Sequence, residues 1–291
     1  MRFGFRSDAR VITARVHMKG AAVMSHCQTR TPLLFVVLST LVAAGGGRTV
    51  AAEPSAPHAP PSVFEVTLRD DDPVPEISTA ELRAALIDTR VVVLDARPHA
   101  EYAVSHIPGA RNVPGKPGLP AAQYTADAGE IVRTIPDRST PLVLYCNGPF
   151  CGRSKRFGAE LFKAGYRNVR RYQLGIPTWR ALGGVTQVEK DALVALLRSD
   201  ATAVLVDARE GDTGARRLAN ARSIPLRDAA KAKDDGRLPM TDHNTRIFVV
   251  GDGGAEARAV AEAIVLDAFH NVAFFDGAAS ALEELMERRS E

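Results

Sequence analysis

One pattern limits what this chain can fold into more than any other: it runs through the same succession of elements twice. An apolar run, Val91-Val92-Val93-Leu94, ends in Asp95-Ala96-Arg97, and a second run, Ala203-Val204-Leu205-Val206, ends in Asp207-Ala208-Arg209. Ahead of the first lies Ser78-Thr79-Ala80-Glu81, a capping-type start to a short amphipathic helix through Leu82, Leu86 and Ile87. Ahead of the second, Val188-Glu189-Lys190-Asp191 leads into Leu193, Leu196 and Leu197. The match continues in order: Ala110-Arg111-Asn112-Val113-Pro114 with Ala221-Arg222-Ser223-Ile224-Pro225, and Leu142-Val143-Leu144-Tyr145 with Ile247-Phe248-Val249-Val250. A helix follows each of these strands, carrying Leu161, Phe162 and Ala164 in one copy and Ala261, Ile264 and Val265 in the other. Asn168-Val169 and Asn271-Val272 then precede a last short strand. Uniformly apolar strands alternating with helices predict an α/β fold: two units, each a central parallel sheet with helices on both faces. The element-by-element order argues against one large α/β domain.

The flanks read differently. Residues 1–52 hold seven basic residues against the single acid Asp8, so the remaining chain carries 30 Lys/Arg and 33 Asp/Glu, a net charge of −3. That balance gives no nucleic-acid footprint. Arg30 precedes the apolar run Pro32 to Ala44, too short for a helix across a bilayer of about 30 Å, and Val50-Ala51-Ala52 fits a signal-peptidase site. The expectation is an export signal over 1–52, its start over-extended ahead of Met18 or Met24, and a periplasmic mature protein. A Pro- and Ala-rich linker is expected over 53–75, the first domain over 76–184 and the second over 185–288. Cleavage would remove Cys27 and leave Cys146 and Cys151 as the cysteines.

The copies part company at one place, directly after the strand Leu142–Tyr145. There the first has Cys146-Asn147-Gly148-Pro149-Phe150-Cys151-Gly152-Arg153-Ser154, where the second has Gly251-Asp252-Gly253-Gly254-Ala255-Glu256-Ala257-Arg258 and no Cys. Ligands of parallel sheets bind beyond the carboxyl ends of the strands, so this loop lies where a site belongs. Small residues let successive N–H groups face an anion, and the following helix adds its N-terminal donors. A Cys146 thiolate would be held by those donors and by Arg153, which lowers its pKa. The other reading of the pair is a Cys146–Cys151 disulfide, although a five-residue spacing closes little chain.

On these residues the chain resembles a known family. Leu94 to Pro114, the Cys loop and Tyr172-Gln173-Leu174-Gly175-Ile176-Pro177-Thr178-Trp179 are similar to the opening signature, active loop and closing segment of rhodanese-homology domains. The likeness is strong over Ile77 to Gly184 and weak from Val185 to about Leu285. It implies two rhodanese-like domains and a sulfurtransferase. Cys146 would take sulfur from a small anionic donor such as thiosulfate, pass through a persulfide, and give it to a thiol or cyanide-like acceptor. Arg153 would bind the donor, and Asn147, Gly148, Pro149, Phe150, Gly152 and Ser154 would line the substrate and persulfide. No cofactor or metal is implied.

Two departures from the family stand out. Arg153 sits seven residues after Cys146 where about five is usual, so the pocket is wider or Gly152 forms a bulge. Cys151 is the second; it could attack a Cys146 persulfide or sulfenate as a resolving thiol. The Cys-x4-Cys spacing is also similar to that of low-molecular-weight tyrosine phosphatases, but Gly152 breaks the match. A non-catalytic or redox-regulatory binding module, holding Cys146 and Cys151 as a disulfide, is the rival from another class. His106, Asp95, Arg97 and Trp179 read as structural, the first because its counterpart is Arg217 and the next two because they recur as Asp207 and Arg209. The second domain lacks the nucleophile, and Asp252 and Glu256 would repel an anion; it is expected to be inactive, a scaffold or a docking module for a periplasmic protein.

Overall fold

The computed structural model describes residues 74–211 and 218–282. The expected export segment, nearly all of the expected linker, Arg217 and the last residues of the second domain lie outside them.

The first unit opens with α1 (Thr79–Ile87), whose Ser78 and Glu81 form the reciprocal capping box read from the sequence. It continues through β1 (Val92–Asp95), α2 (His99–Val104), β2 (Arg111–Asn112), α3 (Ala128–Thr134), β3 (Leu142–Tyr145), α4 (Gly152–Lys163), β4 (Val169–Tyr172) and α5 (Gly175–Ala181). The strands pair in parallel in the order β2-β1-β3-β4. Side chains alternate across such a sheet. Leu94, Leu142 and Leu144 therefore pack on one face with Ile131 of α3 and Phe157 and Leu161 of α4. Val93, Val143 and Tyr145 pack on the other with Leu82 of α1 and Ile176 and Trp179 of α5. Continuous apolar runs are what two covered faces demand.

The second unit has β5 (Thr186–Val188), α6 (Lys190–Ser199), β6 (Val204–Asp207), β7 (Arg222–Ser223), β8 (Ile247–Gly251), α7 (Gly254–Ile264) and β9 (Val272–Ala278). Its sheet runs β5-β9-β8-β6-β7, again all parallel. Read from β7, this is the order of the first sheet with one more strand. The first sheet keeps a remnant of that strand, because Glu76 makes an isolated parallel bridge to Arg171 on β4. The register also repeats: Asp95 lies opposite Tyr145, and Asp207 opposite Val250. The α/β class with covered parallel sheets, expected from the repeat, is the one found.

Ordered packing begins earlier than the expected linker end. Val74 is buried in the first core, with its side chain close to Gly158 of α4, and the Pro75 carbonyl accepts from Arg171 N–H. A lone Val among prolines and acids carries no periodicity, which is why the sequence put Val74 in the linker.

Candidate active site

Each Asp-Ala-Arg ends its strand with a buried ion pair that shapes the turn. Arg97 N–H and its guanidinium both reach the Asp95 carboxylate, Nη2 lying 2.5 Å from Oδ2. Arg209 does the same to Asp207, at 2.8 Å. The Arg97 guanidinium also lies over the Tyr145 ring and donates to the Ser105 carbonyl. The pair is thus present both with and without a cysteine after the neighbouring strand.

His106 is likewise structural. Its ring stacks on Tyr102 with centroids 3.8 Å apart, and Nδ1 lies 2.9 Å from the Tyr102 carbonyl oxygen. Burial holds its pKa down at about 4, so the imidazole is neutral at physiological pH. Its main chain exchanges two hydrogen bonds with Gln187 on β5, at 3.0 and 2.8 Å. Trp179 is buried, its indole N–H donating to the Val185 carbonyl at 2.8 Å.

Cys146 follows β3 at the carboxyl end of the sheet and is 1% exposed. Its Sγ is bonded to Sγ of Cys151, with the two Cα atoms 6.3 Å apart. Cys151 is the N-cap of α4, so Gly152 and Arg153 are the first residues of that helix and Gly152 is not a bulge. The sulfurs thus sit at a helix N-terminus, where unpaired donors and the helix dipole favour a thiolate once the bond is reduced. One loop donor is already taken, since Cys151 N–H donates to the Gly148 carbonyl at 2.9 Å.

The closing segment seats the loop. Ile176 N–H donates to the Cys146 carbonyl at 3.1 Å. Gly175 has φ +68°, and a Cβ there would collide with the backbone of Gly148 and Cys146. Gly148 is itself at φ +119° and buried.

The remaining sequence candidates divide. Ser154 is buried in the first turn of α4, Pro149 is half-buried and Gly152 is exposed. Phe150 is 64% exposed in the loop. Asn147 and Arg153 are brought together by a residue that sequence reasoning passed over. Glu101 of α2 accepts from Asn147 Nδ2 through one carboxylate oxygen and from Arg153 Nη1 at 3.2 Å through the other. The Arg153 guanidinium also stands 5.9 Å from the Tyr124 ring centroid. The cation assigned to the donor is therefore shared with a carboxylate. Glu101 lies inside the quoted signature, but nothing in its spacing tied it to a loop so far along the chain.

The second copy has filled its own loop. Glu256 Oε2 accepts from Asp252 N–H at 2.8 Å and lies 2.6 Å from where a Cβ on Gly251 would stand. The position equivalent to Cys146 is covered by an internal carboxylate.

Comparison with known proteins matches the chain to the Rhodanese-like domain over residues 78–182. A thiosulfate:glutathione sulfurtransferase of Saccharomyces cerevisiae is 30% identical over 102 residues, 33% of this chain and 70% of that protein. An HTH-type transcriptional regulator of Mycobacterium tuberculosis is 31% identical over 111 residues, 38% of this chain. The chain spans 44% of that regulator, less than half its length. Among solved structures, a thiosulfate sulfurtransferase from Pseudomonas aeruginosa aligns at 21% identity and a TM-score of 0.32, over 73% of this chain and 43% of that one.

Proposed function

The chain belongs to the rhodanese-like family, and we propose that its first domain is a sulfurtransferase working through a persulfide on Cys146. The observation that carries this reading is the place of Cys146: a buried sulfur at the carboxyl end of the central strand, facing the N-terminus of α4. In the reduced protein the Cys146 thiolate attacks the outer sulfur of a small anionic donor such as thiosulfate. The donor's S–S bond breaks, sulfite leaves with the bonding pair, and the sulfane sulfur stays on Cys146. A thiol or cyanide-like acceptor then collects it and restores the thiolate. Arg153 draws in the anionic donor when it leaves Glu101, and the Asn147–Gly152 backbone lies against the persulfide. No cofactor or metal takes part.

A second reading is favoured by one specific observation, the bond between Cys146 and Cys151. In it the pair is a redox-regulatory element of a binding module, and the thiolate exists only after reduction. An exported, periplasmic protein would meet the oxidising conditions that keep such a bond closed, and the second domain, its loop occupied by Glu256, would serve as a docking module for a periplasmic partner. Nothing in the loop favours a phosphatase over these two.

The deciding experiment is a thiosulfate:cyanide assay on fully reduced protein and on Cys146→Ser. Thiocyanate from the wild type and none from the variant is expected. Absence of product from reduced wild type would sink the thiosulfate reading and leave the redox module.

A further inference from the structure

Away from the Cys loop, a cavity of about 320 Å³ lies between the end of α5 and the amino-terminal ends of the second sheet's strands. Arg180 of α5 faces it from one side; Thr186, Asn244, Arg246 and Asn271 face it from the other. We propose that this cavity is a binding site for a small organic anion, a carboxylate or sulfonate, held by the Arg180 guanidinium.

The argument starts from the company Arg180 keeps. Its Nη2 donates to Ser105 Oγ at 2.7 Å and its Nη1 to Asn271 Oδ1 at 3.3 Å, both neutral acceptors. Its Nε is buried with no hydrogen-bond partner. No described carboxylate lies within ion-pair distance of it, whereas the other cation in the wall, Arg246, is neutralised by Asp200 at 3.0 Å. Burial first, and then the positive charges of Arg97 and Arg246, act against its protonated form. A guanidinium stays protonated all the same. A partly buried cation without a counter-ion is costly, and an anion entering the cavity removes that cost.

The walls set the kind of anion. Besides the cation, Asn244 lines the cavity, while the Thr186 and Thr202 hydroxyls and the Asn271 amide N–H already donate to the Val272 carbonyl, Asp200 and the Asn244 carbonyl; the volume is that of sites for small organic molecules. A bare oxyanion would leave most of this volume unfilled. Asp242, also in the wall, accepts from Asn244 N–H at 2.9 Å and is exposed, so it does not neutralise Arg180.

Titration calorimetry with succinate and with sulfate tests the proposal, on full-length protein carrying Cys146→Ser and Cys151→Ser so that no thiol chemistry contributes. Succinate should bind at one site per chain, more tightly than sulfate. Affinity should fall at least tenfold in Arg180→Gln and stay unchanged in Arg153→Gln. Because Arg180 also joins Ser105 to Asn271, Asn271→Asp is the companion variant: it keeps the guanidinium but supplies an internal carboxylate, and should block binding as completely. Failure of succinate to bind, binding of sulfate alone, affinity undiminished in either Arg180→Gln or Asn271→Asp, or loss of binding in Arg153→Gln would each overturn the assignment.

Discussion

Glu101 and Arg153 face each other across the mouth of the Cys146 loop, 3.2 Å apart, each about one-third exposed. In the proposed sulfurtransferase reading, the carboxylate stands in the path of the anionic donor. An ion pair this open contributes about 0.2–1 kcal/mol, small enough for a substrate to displace but large enough to weaken its binding. Glu101→Gln should therefore lower KM for thiosulfate by a factor of about 1.4 to 5 with kcat nearly unchanged, the factor that such an energy corresponds to. Arg153→Leu should raise KM by more than that. Steady-state kinetics on the reduced proteins check both; a KM unmoved by either would remove Arg153 from the donor's path.

Oxidised protein should show no titratable thiol at Cys146 or Cys151, and reduction should release both. Cys151→Ser should leave a thiol at Cys146 and retain a single-turnover burst of sulfite from thiosulfate, while losing reversible inactivation by mild oxidants. Mass spectrometry of the loop peptide before and after reduction reads the bond directly. A persulfide found on Cys151 in place of Cys146 would reverse the assignment.

The neutral, buried His106 predicts a pH dependence of stability. Its folded-state pKa, about 4, lies below the ordinary imidazole value of 6.5, so between those values the unfolded chain binds the extra proton. The stability it confers is complete above about pH 6.5 and is lost as pH falls through 4, about 3 kcal/mol in all. Urea unfolding at pH 7 and pH 5 should show His106→Asn destabilised at the higher pH and less sensitive to acidification than the wild type. Parallel slopes in the two proteins would mean that His106 titrates normally.

The two strand-end ion pairs allow an internal comparison. Removing one partner of a buried pair costs about 3–5 kcal/mol, so Asp95→Asn and Asp207→Asn should destabilise to similar degrees. If Asp95→Asn costs much less than Asp207→Asn yet abolishes turnover, the first pair serves catalysis after all. Denaturation midpoints read alongside activity separate the outcomes.

How much of this was legible in the sequence follows from the range of each interaction. Periodic features came through: the capping box at Ser78 and Glu81, the strands ending at Asp95 and Asp207, and a Cys loop at the carboxyl end of β3 all announce themselves within a few residues. The pairing of Cys146 with Cys151 stood only as one of two alternatives, since spacing permits a bond without requiring it. Contacts between distant segments left no local trace. Val74 gains its place from a core formed far along the chain, with Leu144, Phe157 and Leu161, and Glu101 matters only because α2 is laid beside the loop. Glu256 reads from the sequence as a charge that repels an anion; that its carboxylate also caps Asp252 N–H within the loop left no trace there.

The exchange of main-chain bonds between His106 and Gln187 has a last consequence. A seam drawn along the chain after Gly184 looks like the natural place to divide the molecule, because the sequence changes copy there. The fold does not divide at that seam: the first residues beyond it complete the other half's backbone pairing. Cutting there would strip the His106 main chain of its partners and uncover its buried ring. Gln187 thus splints the first unit through main-chain groups alone, and because backbone groups are the same in every residue but proline, that bracing places almost no demand on the side chain at its position.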